Sequence, residues 1–182
     1  MKADEKSGRI RTQTGKVIIT GLSRNVYSLY GQDCFIHGIH TKSRRQSKMS
    51  ERIKGRSISR GAASGRVLMT KDAISFLGTV DPKTGVVVDK NHELYGQSVK
   101  DTVLVFPRGK GSTVGSYVIY QLKKNNAAPA AIINEDCETI VAVGAIISSI
   151  PLVDRPEKDV RSFLKNGDLV TVSGTDGFIE IA

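Results

Sequence analysis

Short apolar runs alternate with polar, glycine-rich segments beyond residue 53, and this pattern predicts a domain with many strands and few helices. Strands are predicted for 55–59, 65–70, 86–89, 102–106 and 130–133, with more extended chain from 151. The alternating tail around SGTDG, 173–177, predicts a terminal β-hairpin. Two longer runs, 114–124 and the start of 139–148, favour helices, and 72–77 is typical of a turn or short strand. Together these elements predict a mixed α/β fold.

The first 52 residues have a different pattern. They hold one β-like piece, 16–20, and the polar basic run TKSRRQSK at 41–48. We therefore expect a basic, weakly ordered extension over 1–52 and the folded domain over 53–182. Two interpretations stay open: a basic tail that contacts nucleic acid or a partner, or a biological start at Met49 with a misassigned or loose segment before it.

Charge follows the same division. The net charge is +9, but residues 1–60 carry 14 Lys and Arg against 4 Asp and Glu, and the rest of the chain is at −1. The basicity belongs to the first third, so the main domain is not predicted to bind nucleic acid.

Composition indicates where in the cell the protein is expected and whether this chain is expected to bind a metal. No apolar stretch approaches the roughly 20 residues of a membrane span, and no secretory signal precedes the domain, so a cytoplasmic protein is expected. The two cysteines, Cys34 and Cys137, stand alone and cannot supply a three- or four-cysteine metal set, so no metal site is predicted in this chain.

The segment PRGKGSTVGS, 107–116, carries the strongest chemical signal. It lies between a predicted strand and a predicted helix, where free backbone N–H groups and the helix dipole favour an anion. Ser112 stands in the middle as a hydroxyl for chemistry or, alternatively, as a helix cap. The other predicted binding residues are Arg108, Gly109, Lys110, Gly111, Thr113 and Ser116, although Arg108 also fits a solvated turn charge and capping is favoured for Ser116.

Other polar residues invite weaker hypotheses. Asp81 and Asp89 are acid–base candidates for which turn roles are favoured. His92 fits a subunit interface or a capping position equally well. Ser75 and Phe76 are expected to face the cleft.

Several motifs in the same order resemble the swivelling domain of the aconitase X family. The similarity covers about residues 53–182 and rests on GAASGRVL at 61–68, GTVDPKTG at 78–85, VDKNHELYG at 88–96, VFPRGKGSTVGS at 105–116 and APAAII at 128–133. It does not include the first 50 residues, which supports a start at Met49.

The resemblance implies a swivelling β/β/α domain, as in the small domain of the aconitase superfamily, that closes over a separate large subunit. In this family the large subunit carries an iron–sulfur cluster and most substrate contacts. The heterodimer is a hydro-lyase that converts 5-phosphomevalonate to trans-anhydromevalonate 5-phosphate in an archaeal mevalonate pathway for isoprene biosynthesis. By the same resemblance, Ser112 is the proton acceptor, and this subunit alone is expected to be inactive.

The loop departs from the usual family turn, Gly-Arg-Gly-Ser-Ser, because residues 109–113 read GKGST. Lys110 keeps the charge but loses the fork of an arginine, and Thr113 keeps a hydroxyl. Two alternatives remain: a subunit of another hydroxy-acid dehydratase, such as one acting on hydroxyproline, or a non-catalytic module whose basic tail binds nucleic acid.

Overall fold

The structure is a computed structural model that describes residues 11–13, 16–18 and 51–181. The first two segments are strands β1, Arg11–Gln13, and β2, Lys16–Ile18, which pair antiparallel as a small hairpin. The β-like piece predicted at 16–20 is thus confirmed over its described part. Most of the extension predicted for 1–52 lies outside the described residues.

Eight further strands form one sheet in the main domain. They are β3 Arg52–Lys54, β4 Arg56–Ser59, β5 Ala62–Met69, β6 Thr102–Phe106, β7 Ala131–Asn134, β8 Leu152–Asp154, β9 Leu169–Ser173 and β10 Phe178–Ile181. Their order is β3-β10-β9-β5-β6-β7-β8-β4. The central strands β5, β6, β7 and β8 are parallel, and the other pairs are antiparallel. The predicted mixed α/β class is confirmed.

The two edge strands of this sheet are neighbours in the sequence. Only Gly55 separates β3 from β4, yet they lie at opposite ends of the strand order. The sheet therefore curls until its edges meet. At this seam the Gly55 N–H donates to the Gly177 carbonyl at 2.8 Å, and the Ser57 hydroxyl donates to the Gly174 carbonyl.

Alternating side chains along the parallel strands build two separate cores. In β6, Val103 and Val105 join the cluster that also holds Val170, Val172 and Ile179. Leu104 and Phe106 point to the other face, where they pack with helix residues such as Leu122. The period of two thus places one apolar layer within the curled sheet and the second beneath the helices.

Four helices complete the domain. They are α1 Phe76–Thr79, α2 Val114–Lys124, α3 Thr139–Ile147 and α4 Val160–Phe163. Helices α2 and α3 are confirmed, and they approach closely because Gly144 faces Ile119, where a Cβ would come within 2.6 Å of its Cδ1. No helix in the described part of the chain is long and apolar enough to cross a bilayer.

One sequence prediction needs correction. The run 86–89 was expected to be a strand, but Val86 and Val87 make only isolated bridges, to Ser98 and Val80. Residues 72–77 were expected to be a turn or short strand, and the bridge at Ile74 followed by the single kinked turn α1 agrees with that. Both segments belong to a compact excursion between β5 and β6 that does not reach the sheet.

Candidate functional site

The segment 107–113, here called the serine loop, joins the carboxyl end of β6 to the start of α2. Ile74 binds its middle through two backbone hydrogen bonds, donating to the Arg108 carbonyl at 3.2 Å and accepting from Lys110 N–H at 3.0 Å. The loop therefore forms a parallel bridge with a segment more than 30 residues earlier. No local sequence pattern indicates this contact.

The beginning of the loop is also held, by hydrogen bonds from residues at and just beyond the end of β7. The Pro107 carbonyl accepts from Glu135 N–H at 3.1 Å and Asp136 N–H at 3.0 Å, just beyond β7. The Asn134 side-chain amide donates to the Phe106 carbonyl at 2.9 Å. The carboxyl ends of β6 and β7 thus fix where the loop starts, and Asn134 is a site-supporting residue that the sequence analysis missed.

Two glycines allow the loop to fit its surroundings. A Cβ on Gly109 would lie 2.5 Å from Cγ2 of Val141 in α3, so the loop backbone packs directly on that helix. Gly111 has φ +105°, a conformation that side-chain-bearing residues rarely adopt, and a Cβ there would be 2.9 Å from Oγ of Ser75. The glycine spacing therefore reflects both close packing and backbone conformation.

Ser112 is exposed at the tip of the loop and its hydroxyl has no hydrogen-bond partner within residues 51–181. The helix begins at Val114 with Thr113 at the cap position, and the side chain of Thr113 makes no cap hydrogen bond. The side chain of Ser112 makes no cap hydrogen bond either, although its carbonyl accepts from Gly115 N–H at 2.9 Å, so the cap alternative stays open for its backbone. Among the described residues, the backbone N–H groups of 112, 113 and 114 also have no acceptor, which leaves donors around this hydroxyl.

Ser116 differs from the exposed hydroxyls. It is 6% exposed, and its hydroxyl donates to the Thr113 carbonyl at 2.7 Å. This bond satisfies a backbone group in the first turn of α2. Ser116 is therefore better placed to hold the loop–helix junction than to donate to an anion, although it lies in the same segment as the other predicted binding residues.

The predicted cations are available to a ligand. Arg108 and Lys110 are exposed on either side of the buried Gly109, and neither forms an ion pair with an acid in the described part of the chain. Most other arginines near this end of the sheet are paired, for example Arg155 with Asp136 at 2.8 Å and Arg161 with Glu135 at 2.9 Å. The loop therefore presents two cations, unpaired within residues 51–181, beside the free N–H groups.

Apolar side chains flank the loop. Leu77 is 51% exposed, Val114 is 47% exposed and Tyr117 is 67% exposed, and all three lie in or next to α1 and the first turn of α2. Exposed apolar groups next to a polar loop are typical of a surface that another protein covers.

The remaining candidates are held by local hydrogen bonds. Asp81 accepts from the Thr84 hydroxyl and from Lys83 N–H, which hold the pKa of its carboxyl below the usual value. Asp89 accepts from Asn91 N–H in a turn. His92 is buried, and its Nδ1 accepts from Leu94 N–H at 3.1 Å.

The expectation that Phe76 faces the cleft is wrong, and that for Ser75 stays a prediction. The Ser75 hydroxyl borders Gly111, but Phe76 is 1% exposed and packs edge-on against Phe106 with ring centroids 5.9 Å apart. Phe76 supports the loop from below and does not face a cleft.

A family model described as the aconitase X swivel domain matches residues 52–181. The chain belongs to this family. Similar proteins include the phosphomevalonate dehydratase small subunits of Methanosarcina mazei, 67% identical, and Methanococcoides burtonii, 65% identical, over 130 residues that make up 71% of this chain and 90% and 95% of theirs. The crystal structure of Thermococcus kodakaraensis aconitase X in its holo-form is 55% identical with a TM-score of 0.69, over 72% of this chain and 98% of that one. The predicted swivelling-domain fold is thereby confirmed.

Proposed function

We propose that this chain is the small subunit of a heterodimeric hydro-lyase that dehydrates 5-phosphomevalonate to trans-anhydromevalonate 5-phosphate, with Ser112 as the proton acceptor. The observation that carries the proposal is an unbonded, exposed hydroxyl at the tip of a fixed glycine loop, surrounded by free N–H donors and two cations. The dehydratase subunits at 50–67% identity, which match this chain over the whole domain, support the substrate.

Removal of water from a β-hydroxy acid requires a base that takes the proton from the carbon beside the carboxylate. A serine hydroxyl is a weak base and becomes effective only where its alkoxide is stabilised. At Ser112 the N–H groups of 112–114, the amino end of α2 and the charge of Lys110 provide that stabilisation. The Ser112 alkoxide accepts the abstracted proton at Oγ and becomes a neutral hydroxyl, while the negative charge passes to the substrate.

The other residues of the serine loop can bind the charged groups of the substrate. A phosphorylated hydroxy acid carries a carboxylate and a phosphate, and Arg108 and Lys110 are free to bind either group. The hydroxyl of Thr113 is exposed beside Ser112 and supplies a further donor. We place Arg108, Gly109, Lys110, Gly111 and Thr113 against the substrate, and Ser116 at the junction that supports them.

We assign the acid for the leaving hydroxyl to the large subunit. In the described residues no group of three His, Cys, Asp or Glu side chains could hold a metal ion. An iron–sulfur cluster would polarise the hydroxyl when bound, and the family resemblance places its ligands on the large subunit. The chain's own part is therefore to position Ser112 and bind substrate charge, and the apolar rim of Leu77, Val114 and Tyr117 fits the contact with that subunit.

The test is dehydration of 5-phosphomevalonate by the complex of this chain with its large subunit, prepared without oxygen. Wild type is compared with Ser112→Ala and with the control Ser64→Ala, whose exposed hydroxyl in β5 bonds to Thr171. We expect Ser112→Ala to lower kcat by at least a hundredfold, on the scale of removing a general base. Size-exclusion chromatography should show that both variants still assemble.

Each other outcome is informative. An assembled wild-type complex that leaves 5-phosphomevalonate unchanged but dehydrates another hydroxy acid, such as hydroxyproline, would refute the substrate and keep the reaction type. Full activity of Ser112→Ala would move the base to the large subunit. Salt-sensitive nucleic-acid binding by the full chain that is lost without residues 1–48, together with no dehydratase activity, would instead support a binding module with a basic tail.

A further inference from the structure

The serine loop owes its position almost entirely to backbone contacts. Ile74 holds its middle, and the N–H groups of Glu135 and Asp136 hold the Pro107 carbonyl. Immediately before the loop, at the last residue of β6, the Asn134 side chain donates to the Phe106 carbonyl at 2.9 Å. Asn134 is therefore the position where a substitution can release the loop's entry without altering the loop itself.

Asn134 occupies an unfavourable place for an amide. It is the last residue of β7 and has no exposed surface. Its Nδ2 reaches Phe106, but its Oδ1 has no donor within the described residues. A buried polar atom without a partner is costly to folding, and its neighbours on the strand, Ala131, Ile132 and Ile133, are all apolar. An apolar side chain would serve packing alone better at this position.

The neighbouring contacts make the amide rigid. Asn134 pairs in register with Phe106 on one side and with Asp154 on the other. Its carbonyl accepts from Arg155 N–H at 3.2 Å, and the Asp154 carboxylate receives Arg56 at 2.7 and 2.9 Å. The carboxyl ends of β7 and β8 are thus fixed to each other, and the Asn134 side chain links β7 to the Phe106 carbonyl, from which the loop departs.

We propose that Asn134 is a positioning residue for Ser112: its side-chain amide fixes the carbonyl from which the serine loop departs, and so sets the approach of the Ser112 hydroxyl to substrate. This inference rests on the proposed function of Ser112 as base. A displacement of about 1 Å at a reacting group can lower a rate by on the order of a hundredfold, so a single hydrogen bond at the loop's entry is sufficient to matter.

The test uses the assembled complex with 5-phosphomevalonate and two substitutions. Asn134→Asp keeps the shape but replaces the donor by an acceptor, and Asn134→Leu keeps similar bulk without any polar atom. Asn125→Asp is the matched control, because Asn125 also donates its amide to a backbone carbonyl, that of Pro82 at 2.8 Å, at the far end of α2. We expect kcat to fall about 10- to 100-fold in both Asn134 variants and to stay unchanged in the control.

The division between kcat and KM distinguishes positioning from general damage. KM should change less than kcat does, because the family resemblance assigns most substrate contacts to the large subunit. Unchanged kcat in assembled Asn134→Leu would overturn the inference, and so would failure of both Asn134 variants to assemble, which would make Asn134 a folding determinant. An inactive wild-type complex would instead refute the proposed function, and activity in wild type and Asn134→Leu with loss in Ser112→Ala would refute this inference alone.

Discussion

Cys137, just beyond β7 and close to the serine loop, is a cysteine whose surroundings lower the reactivity of its thiol. Its thiol is half-buried, and its backbone N–H donates to the Asp154 carboxylate at 3.0 Å. Burial first, and then the negative charge of Asp154, raises the pKa of the thiol to about 12. Because the thiolate is the reactive form of cysteine, we do not expect Cys137 to act as a second nucleophile beside Ser112.

Alkylation should reveal this suppression. At pH 8 only about one Cys137 in ten thousand is a thiolate, so iodoacetamide should leave it unmodified in the folded protein and label it readily after unfolding in guanidinium. Peptide mass spectrometry separates Cys137 from Cys34. Equal labelling rates in folded and unfolded protein would contradict the burial of the thiol.

The packing of α3 on the serine loop is a property of two elements, and glycines reveal it. Gly109 has no room for a Cβ because Val141 Cγ2 would be 2.5 Å away. Gly115, only six residues later, is in the first turn of α2, where the nearest atoms to an added Cβ would be Ile140 Cδ1 at 3.9 Å and Phe76 Cβ at 4.0 Å. The same substitution at these two sites therefore tests opposite effects.

Gly109→Ala should destabilise the domain by about 1–3 kcal/mol, as overpacking does, since either the loop or α3 must move. Gly115→Ala should be neutral or stabilising by up to about 1 kcal/mol, because alanine favours the helix and meets only ordinary contacts. Urea unfolding of both variants measures the difference. A destabilised Gly115→Ala together with an unaffected Gly109→Ala would refute the packing of α3 on the loop.

At the scale of elements, the sequence predicted correctly those strands and helices that depend on interactions between residues close in the chain. The β-branched run of β6, the helix 114–124 and the terminal hairpin each follow from periodicity and turn residues. The run 86–89 has the same β-branched composition, but its partners are Thr79, Val80 and Gln97, in single bridges and loop contacts. Composition indicates an extended chain there, and only the tertiary partners decide whether it joins a sheet.

For the serine loop, too, the sequence predicted the local residues but not their contacts with distant segments. Its glycines, cations and Ser112 were predicted from ten consecutive residues. Its supports at Ile74, Asn134 and Val141 come from segments about 25–35 residues away, and no spacing in the sequence connects them to the loop. Whether the predicted residues act as assigned stays a prediction that the kinetic experiments address.

At the scale of the whole molecule, the closed sheet explains a buried charge. β4 is an edge strand, and it pairs antiparallel with β8 through Arg56 and Asp154. The carboxylate of Asp154 is fully buried and accepts two hydrogen bonds from the Arg56 guanidinium and one from Cys137 N–H. The pair therefore holds the edge strand β4 on β8, and Gly55 connects β4 directly to β3 at the other end of the strand order.

Charge removal at the seam should therefore be costly, and a surface pair provides the comparison. Asp154→Asn keeps the shape but loses the charge-assisted bonds, so we expect a loss of about 2 kcal/mol in unfolding free energy. Asp136→Asn removes an equally short contact to Arg155, but both partners are more than half exposed, and the loss should stay below about 0.5 kcal/mol. Chemical unfolding at neutral pH measures both. Equal losses would mean that the Arg56–Asp154 pair contributes no more than a surface pair, and closure of the sheet would then depend on its backbone contacts and close-packed glycines alone.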